Sequence, residues 1–250
     1  LEGIESGRPL SEFDILGFLL GYELNCTNLL NILDLGGIPV ESAKRSASDP
    51  LVMAGGIGAM NPEPLADFVD FFVIGDGEGV VGRIAELVRD MKKSGADRHS
   101  ILLELSALGG IYVPSFYEAE YGQDGKFKAI KRRVDSAPIP VERIIRRDLP
   151  AFPQKPVVPL IETVQDKGSV EISRGCTRGC RFCNAGMYYR PLRHRSQEEI
   201  ISAVQGLCNS CGYEEITLLS LSSGDYPGIA SLIGTLNQAE QMQGVTLSLP

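Results

Sequence analysis

The chain has 250 residues, 43% of them apolar and 22% charged, which supplies a real hydrophobic core and excludes general disorder. A formal net charge of −8 argues against bulk non-specific binding to nucleic acid or anionic membrane, while leaving room for a local basic site. No run approaches the roughly 18 apolar residues of a membrane span, and no basic-then-apolar leader opens the sequence, so a soluble cytoplasmic protein is expected.

Residues 1–95 alternate strand and helix patterns. The run 14–20, around Ile15, Leu16, Phe18 and Leu19, predicts a strand covered on both faces. Leu29, Leu30, Ile32 and Leu33 predict a helix over 25–35, stopped by Gly36 and Gly37. Strands are predicted over 51–54 and 71–74, and a helix over 79–93 carrying Ile84, Leu87, Val88 and Met91 at helical spacing. This rhythm predicts an α/β fold with a parallel sheet.

Residues 96–165 break the rhythm. Runs at 116–121 and 126–131 flank Asp124-Gly125 as in a hairpin, and Pro138, Pro140, Pro150, Pro153, Pro156 and Pro159 punctuate a largely extended stretch after it. The segment reads as a connector with a small β element, and as the domain boundary. From 166 the alternation resumes, with strands over 170–173, 215–221 and 245–249 and a helix over 229–243. Ser196 and Glu199 form a capping box for a further helix that runs to Cys211 and stops at Gly212.

Five of the six cysteines fall between 176 and 211, a clustering that suits metal binding better than a disulfide framework. Cys176, Cys180 and Cys183 read C-x3-C-x2-C directly after a strand. Three thiolates from one loop can hold an iron–sulfur cluster, normally held by four, and so leave one iron open to a substrate or cofactor. The competing reading is a non-catalytic zinc-ribbon or binding module on Cys180, Cys183, Cys208 and Cys211. It leaves Cys176 unused, and Cys208 and Cys211 extend the apolar helix stripe of Ile200, Val204 and Leu207, where buried cysteines act as small hydrophobes.

With Phe182 just before the last cysteine, this motif resembles the radical S-adenosylmethionine (SAM) enzymes. The resemblance implies a 4Fe–4S cluster on Cys176, Cys180 and Cys183, with SAM chelating the fourth iron. In that superfamily, reduction of SAM gives methionine and a 5′-deoxyadenosyl radical, with a small electron donor such as a flavodoxin or ferredoxin as partner. By the same resemblance Phe182 lies near the adenine, and Ser222, Ser223, Gly224 and Asp225 stand where the family often has Gly-Gly-Glu, with Asp225 taking the SAM ammonium. An ordinary turn is the alternative for those four.

The run from Ser173 to Ser196, with Tyr22-Glu23-Leu24-Asn25 and Ile74 to Glu78, is similar to radical SAM proteins with an N-terminal cobalamin-binding-like domain. It implies a Rossmann-like, cobalamin-binding-type sheet over 1–95, the connector over 96–165, and the first part of a partial βα barrel over 166–250. A six-unit barrel needs roughly 180–190 residues, so the chain is expected to be a fragment, and Leu1 in place of methionine suggests a missing N-terminal piece. Cobalamin itself stays open. Gly55-Gly56 could approach its nucleotide tail, but no Asp-x-His-x-x-Gly occurs and Phe18-Leu19-Leu20 stands where Ser-x-Leu is frequent.

Two further signals have bland alternatives. Gly77 to Gly82 matches G-x-G-x-x-G after a strand, yet Asp76 and Glu78 would oppose a pyrophosphate, so a tight strand-to-helix turn is preferred to a dinucleotide site. Arginines at 174, 178, 181, 190, 193 and 195 surround the cysteines, and a second basic zone spans 126–147. A solvated face explains them, and RNA or another anionic substrate is the sharper reading. A methylthiotransferase is disfavoured because only Cys26 precedes the motif.

Overall fold

The computed structural model describes residues 1–153, 155–158, 161, 164, 166–239 and 244–250. The chain forms two compact units, Leu1–Arg146 and Arg147–Pro250.

The first unit is built on a four-stranded sheet in the order β1-β2-β3-β4. β1 (Ile15–Leu19), β2 (Leu51–Gly55) and β3 (Phe71–Val73) are parallel, and β4 (Ile111–Tyr112) closes one edge antiparallel to β3. Leu51, Val52, Ala54, Phe71 and Phe72 are buried, as continuous apolar strands covered on both faces must be. Three helices belong to this unit: α1 (Asn25–Leu35), α2 (Val80–Lys93) and α3 (Arg98–Ser106). Leu29 and Leu33 of α1, and Val80, Ile84 and Val88 of α2, face the core at helical spacing.

The segment read as a connector contains more structure than its sequence pattern suggests. Asp97 caps α3 by accepting a hydrogen bond from the Ser100 N–H at 2.7 Å, and Ile101, Leu102 and Leu105 pack into the first core. The expected hairpin is present as β5 (Tyr117–Tyr121) and β6 (Phe127–Arg132), joined through 122–126 with Gly125 in the left-handed region. Its basic zone is largely paired. Lys126 meets Asp124, Lys128 and Lys131 meet Glu120, and Arg133 meets Glu118, all within 3.5 Å.

The glycine-rich turn before α2 serves packing. Residues 143–146 run along the end of β3, where Ile144 bridges Gly75 and the Asp76 carboxylate accepts from the Arg146 N–H at 2.9 Å. A Cβ at Gly79 would stand 3.1 Å from an Arg146 nitrogen, so the chain itself fills the space in front of this turn.

The second unit carries a three-stranded parallel sheet in the order β11-β10-β7. Its strands are β7 (Gly168–Glu171), β10 (Glu215–Leu219) and β11 (Thr246–Ser248). The strand expected over 170–173 is divided: after β7, Ser173–Arg174 (β8) leaves the sheet and pairs antiparallel with Arg193–His194 (β9). Between β8 and β9 lie the cysteine loop and the short helix α4 (Asn184–Tyr188).

α5 (Gln197–Cys211) starts with both hydrogen bonds of the capping box in place, and Gly212 ends it in the left-handed conformation. α6 spans Ile229–Gln238, and the expected continuation over 240–243 lies outside the described residues. Val170, Ile172, Ile200, Val204, Leu207, Ile216, Leu218, Leu232 and Leu236 form the second core. No helix among the described residues is long and apolar enough to cross a membrane.

Candidate cluster site at the carboxyl ends of two parallel strands

In parallel α/β sheets the crevice outside the carboxyl ends of the strands is the usual ligand position. In the second unit the residues leaving β7 and β10 meet at such a place. Glu171, Ser173, Arg174, Gly175, Tyr189, Leu219, Ser220 and Leu221 line a pocket of about 350 Å³. The cysteine loop departs from Gly175. A Cβ there would stand 2.6 Å from the carbonyl oxygen of Tyr189 and 2.7 Å from that of Pro191, and its φ is +94°, so only glycine lets the loop's two ends approach.

Along the loop, Cys176 and Cys183 are half-buried and Cys180 is exposed. The Cys176 sulfur accepts from the Arg178 N–H at 3.4 Å. The Cys183 sulfur caps α4, accepting from the Gly186 N–H at 3.3 Å. Phe182 is 92% exposed between Arg181 and Cys183.

Among the described residues no three Cys, His, Asp or Glu side chains stand close enough together to hold one metal ion, so the three thiols share a loop without converging in this conformation. As a donor set they fit an iron–sulfur cluster, being three sulfurs on one loop with no apolar layer over Cys180 and amide donors on the other two. Cys208 and Cys211 differ, because both pack against the second core and burial pushes the Cys208 thiol up, away from the thiolate a metal needs.

The turn after β10 is tied together from within. The Ser223 hydroxyl is buried, donates to the Leu218 carbonyl at 3.0 Å and lies 3.0 Å from the Ser220 hydroxyl. Ser222 donates to Asp225 at 2.7 Å. Asp225 also receives both arms of a guanidinium from the cysteine loop: Arg178 Nε donates to Oδ2 at 2.6 Å and Nη2 donates to Oδ1. The hydrogen bonds from Arg178 and then Ser222 hold the Asp225 carboxyl down to about 2. The hydroxyls of this turn are thus satisfied within the chain, while Asp225 reaches the cysteine loop through Arg178.

Arg174, Arg193 and Arg195 have acids and carbonyls for partners. Glu171 accepts from Arg174 at 2.8 and 3.1 Å and from Arg195 at 3.4 Å. Arg195 also donates to the carbonyls of Glu171 and Pro150, and Arg193 to those of Pro191 and Tyr189. Sequence reasoning passed over Glu171 as a strand residue. Its position as the last residue of β7, shortly before the loop begins, was the available signal.

Two family models match the chain. The radical SAM superfamily model covers residues 170–249, and a model of the N-terminal part of radical SAM proteins covers residues 1–114. The chain belongs to the radical SAM superfamily. It is 22% identical over 241 residues to the uncharacterized protein MJ0966 of Methanocaldococcus jannaschii, covering 94% of this chain and 44% of that protein. It is 34% identical over 79 residues to the threonylcarbamoyladenosine tRNA methylthiotransferase MtaB of Bacillus subtilis, covering 32% of this chain and 15% of the relative. The fold is similar to the radical SAM methyltransferase TsrM of Kitasatospora setae in its complex with cobalamin and a [4Fe-4S] cluster. That similarity has a TM-score of 0.56 at 14% identity, over 94% of this chain and 44% of that one. A second TsrM structure, with tryptophan and a SAM analogue, matches at a TM-score of 0.55, also at 14% identity, over 94% of this chain and 43% of that one. This radical SAM chain thus spans less than half the length of MJ0966, MtaB and TsrM.

Gly55-Gly56, the pair considered for a cobalamin tail, is accounted for within the first unit. Gly56 has φ +91°, and a Cβ there would stand 2.9 Å from the Leu20 carbonyl oxygen and 2.8 Å from a Leu19 methyl. The close approach that requires glycine is made by the chain's own β1 and the residue after it. The pair gives no ground for a corrin.

Proposed function

We propose that the second unit belongs to a radical SAM enzyme, with Cys176, Cys180 and Cys183 holding a 4Fe–4S cluster and SAM binding beside it at the carboxyl ends of β7 and β10. The observation that carries this reading is the loop itself: three thiols, two with amide donors, issue from a glycine-gated excursion at the end of a parallel strand. When bound, the cluster and SAM together supply the electron transfer and radical initiation, and the protein supplies binding, orientation and exclusion of water.

The roles of this chain's residues follow from position. Phe182 offers an exposed ring to the SAM adenine. Ser222, Ser223 and Gly224 bring the turn after β10 to the other side of the site, where Asp225 engages the cluster loop. Glu171 fixes Arg174 on the pocket wall and also meets the buried Arg195. The exposed position of Cys180 suits electron delivery from a small flavodoxin- or ferredoxin-like donor.

Two of the similar proteins, TsrM and MtaB, are by name a methyltransferase and a methylthiotransferase, which supports group transfer for this chain as well. A tRNA-type substrate is the less favoured form of that reading. Lys128, Lys131 and Arg133 at the hairpin are paired with acids, and so are Arg174, Arg178 and Arg195 around the loop.

The test is anaerobic reconstitution of the full-length protein with iron and sulfide, followed by electron paramagnetic resonance of the reduced form with and without SAM. A 4Fe–4S signal that shifts on adding SAM and vanishes in Cys176→Ala is the expected result. Roughly one tight zinc per chain and no cluster would end the reading and restore the zinc alternative.

A further inference from the structure

We infer that Arg178 is a positioning residue and that Asp225 acts through it: the pair ties the cysteine loop to the turn after β10 and fixes where the cluster thiols stand relative to the SAM side of the site. This rests on the cluster reading above. It changes the part expected of Asp225 from a direct acceptor of the SAM ammonium to a strut.

The argument starts from occupancy of the carboxylate. Both Asp225 oxygens are engaged, Oδ1 by Arg178 and Oδ2 by Arg178 and Ser222. A fork-to-fork pair of guanidinium and carboxylate fixes direction as well as distance, which a single contact does not. Arg178 lies midway between Cys176 and Cys180, and its own amide donates to the Cys176 sulfur. One residue therefore bonds a thiol through its backbone and a second strand's turn through its side chain, 47 residues away.

The turn at the other end is built to resist being pulled. Ser223 is anchored to the Leu218 carbonyl inside the second core, and Ser222 is held through Ser220. A loop that carries its own cations would otherwise face solvent with few tertiary contacts. The pair is partly exposed, so its effect on global stability is small, and its consequence is local order.

The experiment uses the full-length protein with Arg178→Gln, Arg178→Lys, Asp225→Asn and the double variant Arg178→Gln/Asp225→Asn. Hydrogen exchange of the cluster-free proteins is followed on peptides spanning 174–186. In parallel, the reconstituted proteins are tested for iron loss to a chelator and for the SAM dependence of the reduced-cluster resonance. Exchange and iron loss should each rise roughly two- to fivefold in either single variant, Arg178→Gln or Asp225→Asn, since the lost contact is a surface pair. The double variant should be no worse than the singles, as expected of coupled partners. Arg178→Lys should recover part of the effect, and SAM binding should weaken equally in Arg178→Gln and Asp225→Asn.

Unchanged exchange in both of these single variants would overturn the strut. So would an Asp225→Asn protein that loses SAM affinity tenfold or more while Arg178→Gln keeps it, because Asp225 would then bind SAM directly. A wild-type protein that takes up no cluster overturns the iron–sulfur reading alone, and the exchange arm still decides whether the tie exists.

Discussion

A Cβ on Gly75 would stand 2.2 Å from the carbonyl oxygen of Ile144. The two residues are bridged because Ile144 donates its N–H to the Ile74 carbonyl at 2.8 Å, while its own carbonyl accepts from the Asp76 N–H at 3.0 Å. The segment 143–146 thus lies along the end of β3 like a further strand, and Gly75 at φ +112° is the residue that lets it. Gly75→Ala adds a left-handed strain and a backbone collision that no side-chain rotation relieves. The expected cost is at least about 2 kcal/mol, read as a lower urea midpoint by circular dichroism. Gly95→Ala, with a similarly positive φ but open space around it, should cost less.

The amino ends of β2 and β3 are joined by a buried charge. One oxygen of Asp70 accepts from Arg45 at 2.9 Å, from Arg98 at 2.7 Å and from the Val52 N–H at 2.7 Å. The side chains of Arg45 and Asp70 are 0% and 3% exposed. Burial pushes the Arg45 guanidinium down from its ordinary value, opposed first by the Asp70 charge and then by its hydrogen bond. Asp70→Asn keeps the shape and removes the counter-charge, leaving two arginines facing each other. A loss of about 3–5 kcal/mol is expected, the range for breaking a buried pair from one side, with the urea midpoint again the measurement.

Much of the fold was legible because burial on both faces writes itself as apolar runs. Leu51 to Ala54 and Phe71 to Ile74 read as strands, the second ending one residue earlier at Val73, and the Ser196–Glu199 box and Gly212 marked both ends of α5. α3 was missed because it follows α2 closely, is short, and carries apolar residues at 101, 102, 103 and 105 that give no clean stripe. The split at Ile172 was also hidden. Its N–H still bonds to the Leu219 carbonyl, so the strand pattern continues up to the point where the chain leaves the sheet. At the site, the cysteine spacing was legible as chemistry, since three thiols within eight positions demand a reason. The Arg178–Asp225 pair was not, because a contact across 47 residues depends on where two strands end.

The two cysteine sets predict opposite outcomes. Cys208 and Cys211 belong to the packing of α5 on the second core, and Cys208 carries a thiol raised by burial. Cys208→Ala should leave the iron and sulfide content of the reconstituted protein within experimental scatter of wild type and cost roughly 1 kcal/mol for the lost packing. Cys180→Ala should abolish cluster formation with no loss of stability in the cluster-free protein, since its side chain is exposed. Metal analysis of the two variants side by side checks both. A cluster lost equally in each would mean that α5 supplies ligands after all.

The Asp225 carboxyl provides a solution signature of the strut that needs no metal. With Arg178 and then Ser222 bonded to it, its folded value lies at about 2, below the ordinary carboxylate value of about 3.9. The sign follows from that depression. The pair's contribution is fully present above the unfolded value and is lost as pH falls from about 4 through about 2. At about pH 3 the carboxylate should therefore remain mostly ionised in the wild-type protein. In Arg178→Gln the largest cause of the depression is gone, and the midpoint should move up towards the ordinary value. Carbon-detected nuclear magnetic resonance of the Asp225 carboxyl, titrated from about pH 6 to about pH 3 in both proteins, reads this directly. Superimposable curves would place the Arg178 guanidinium elsewhere in solution.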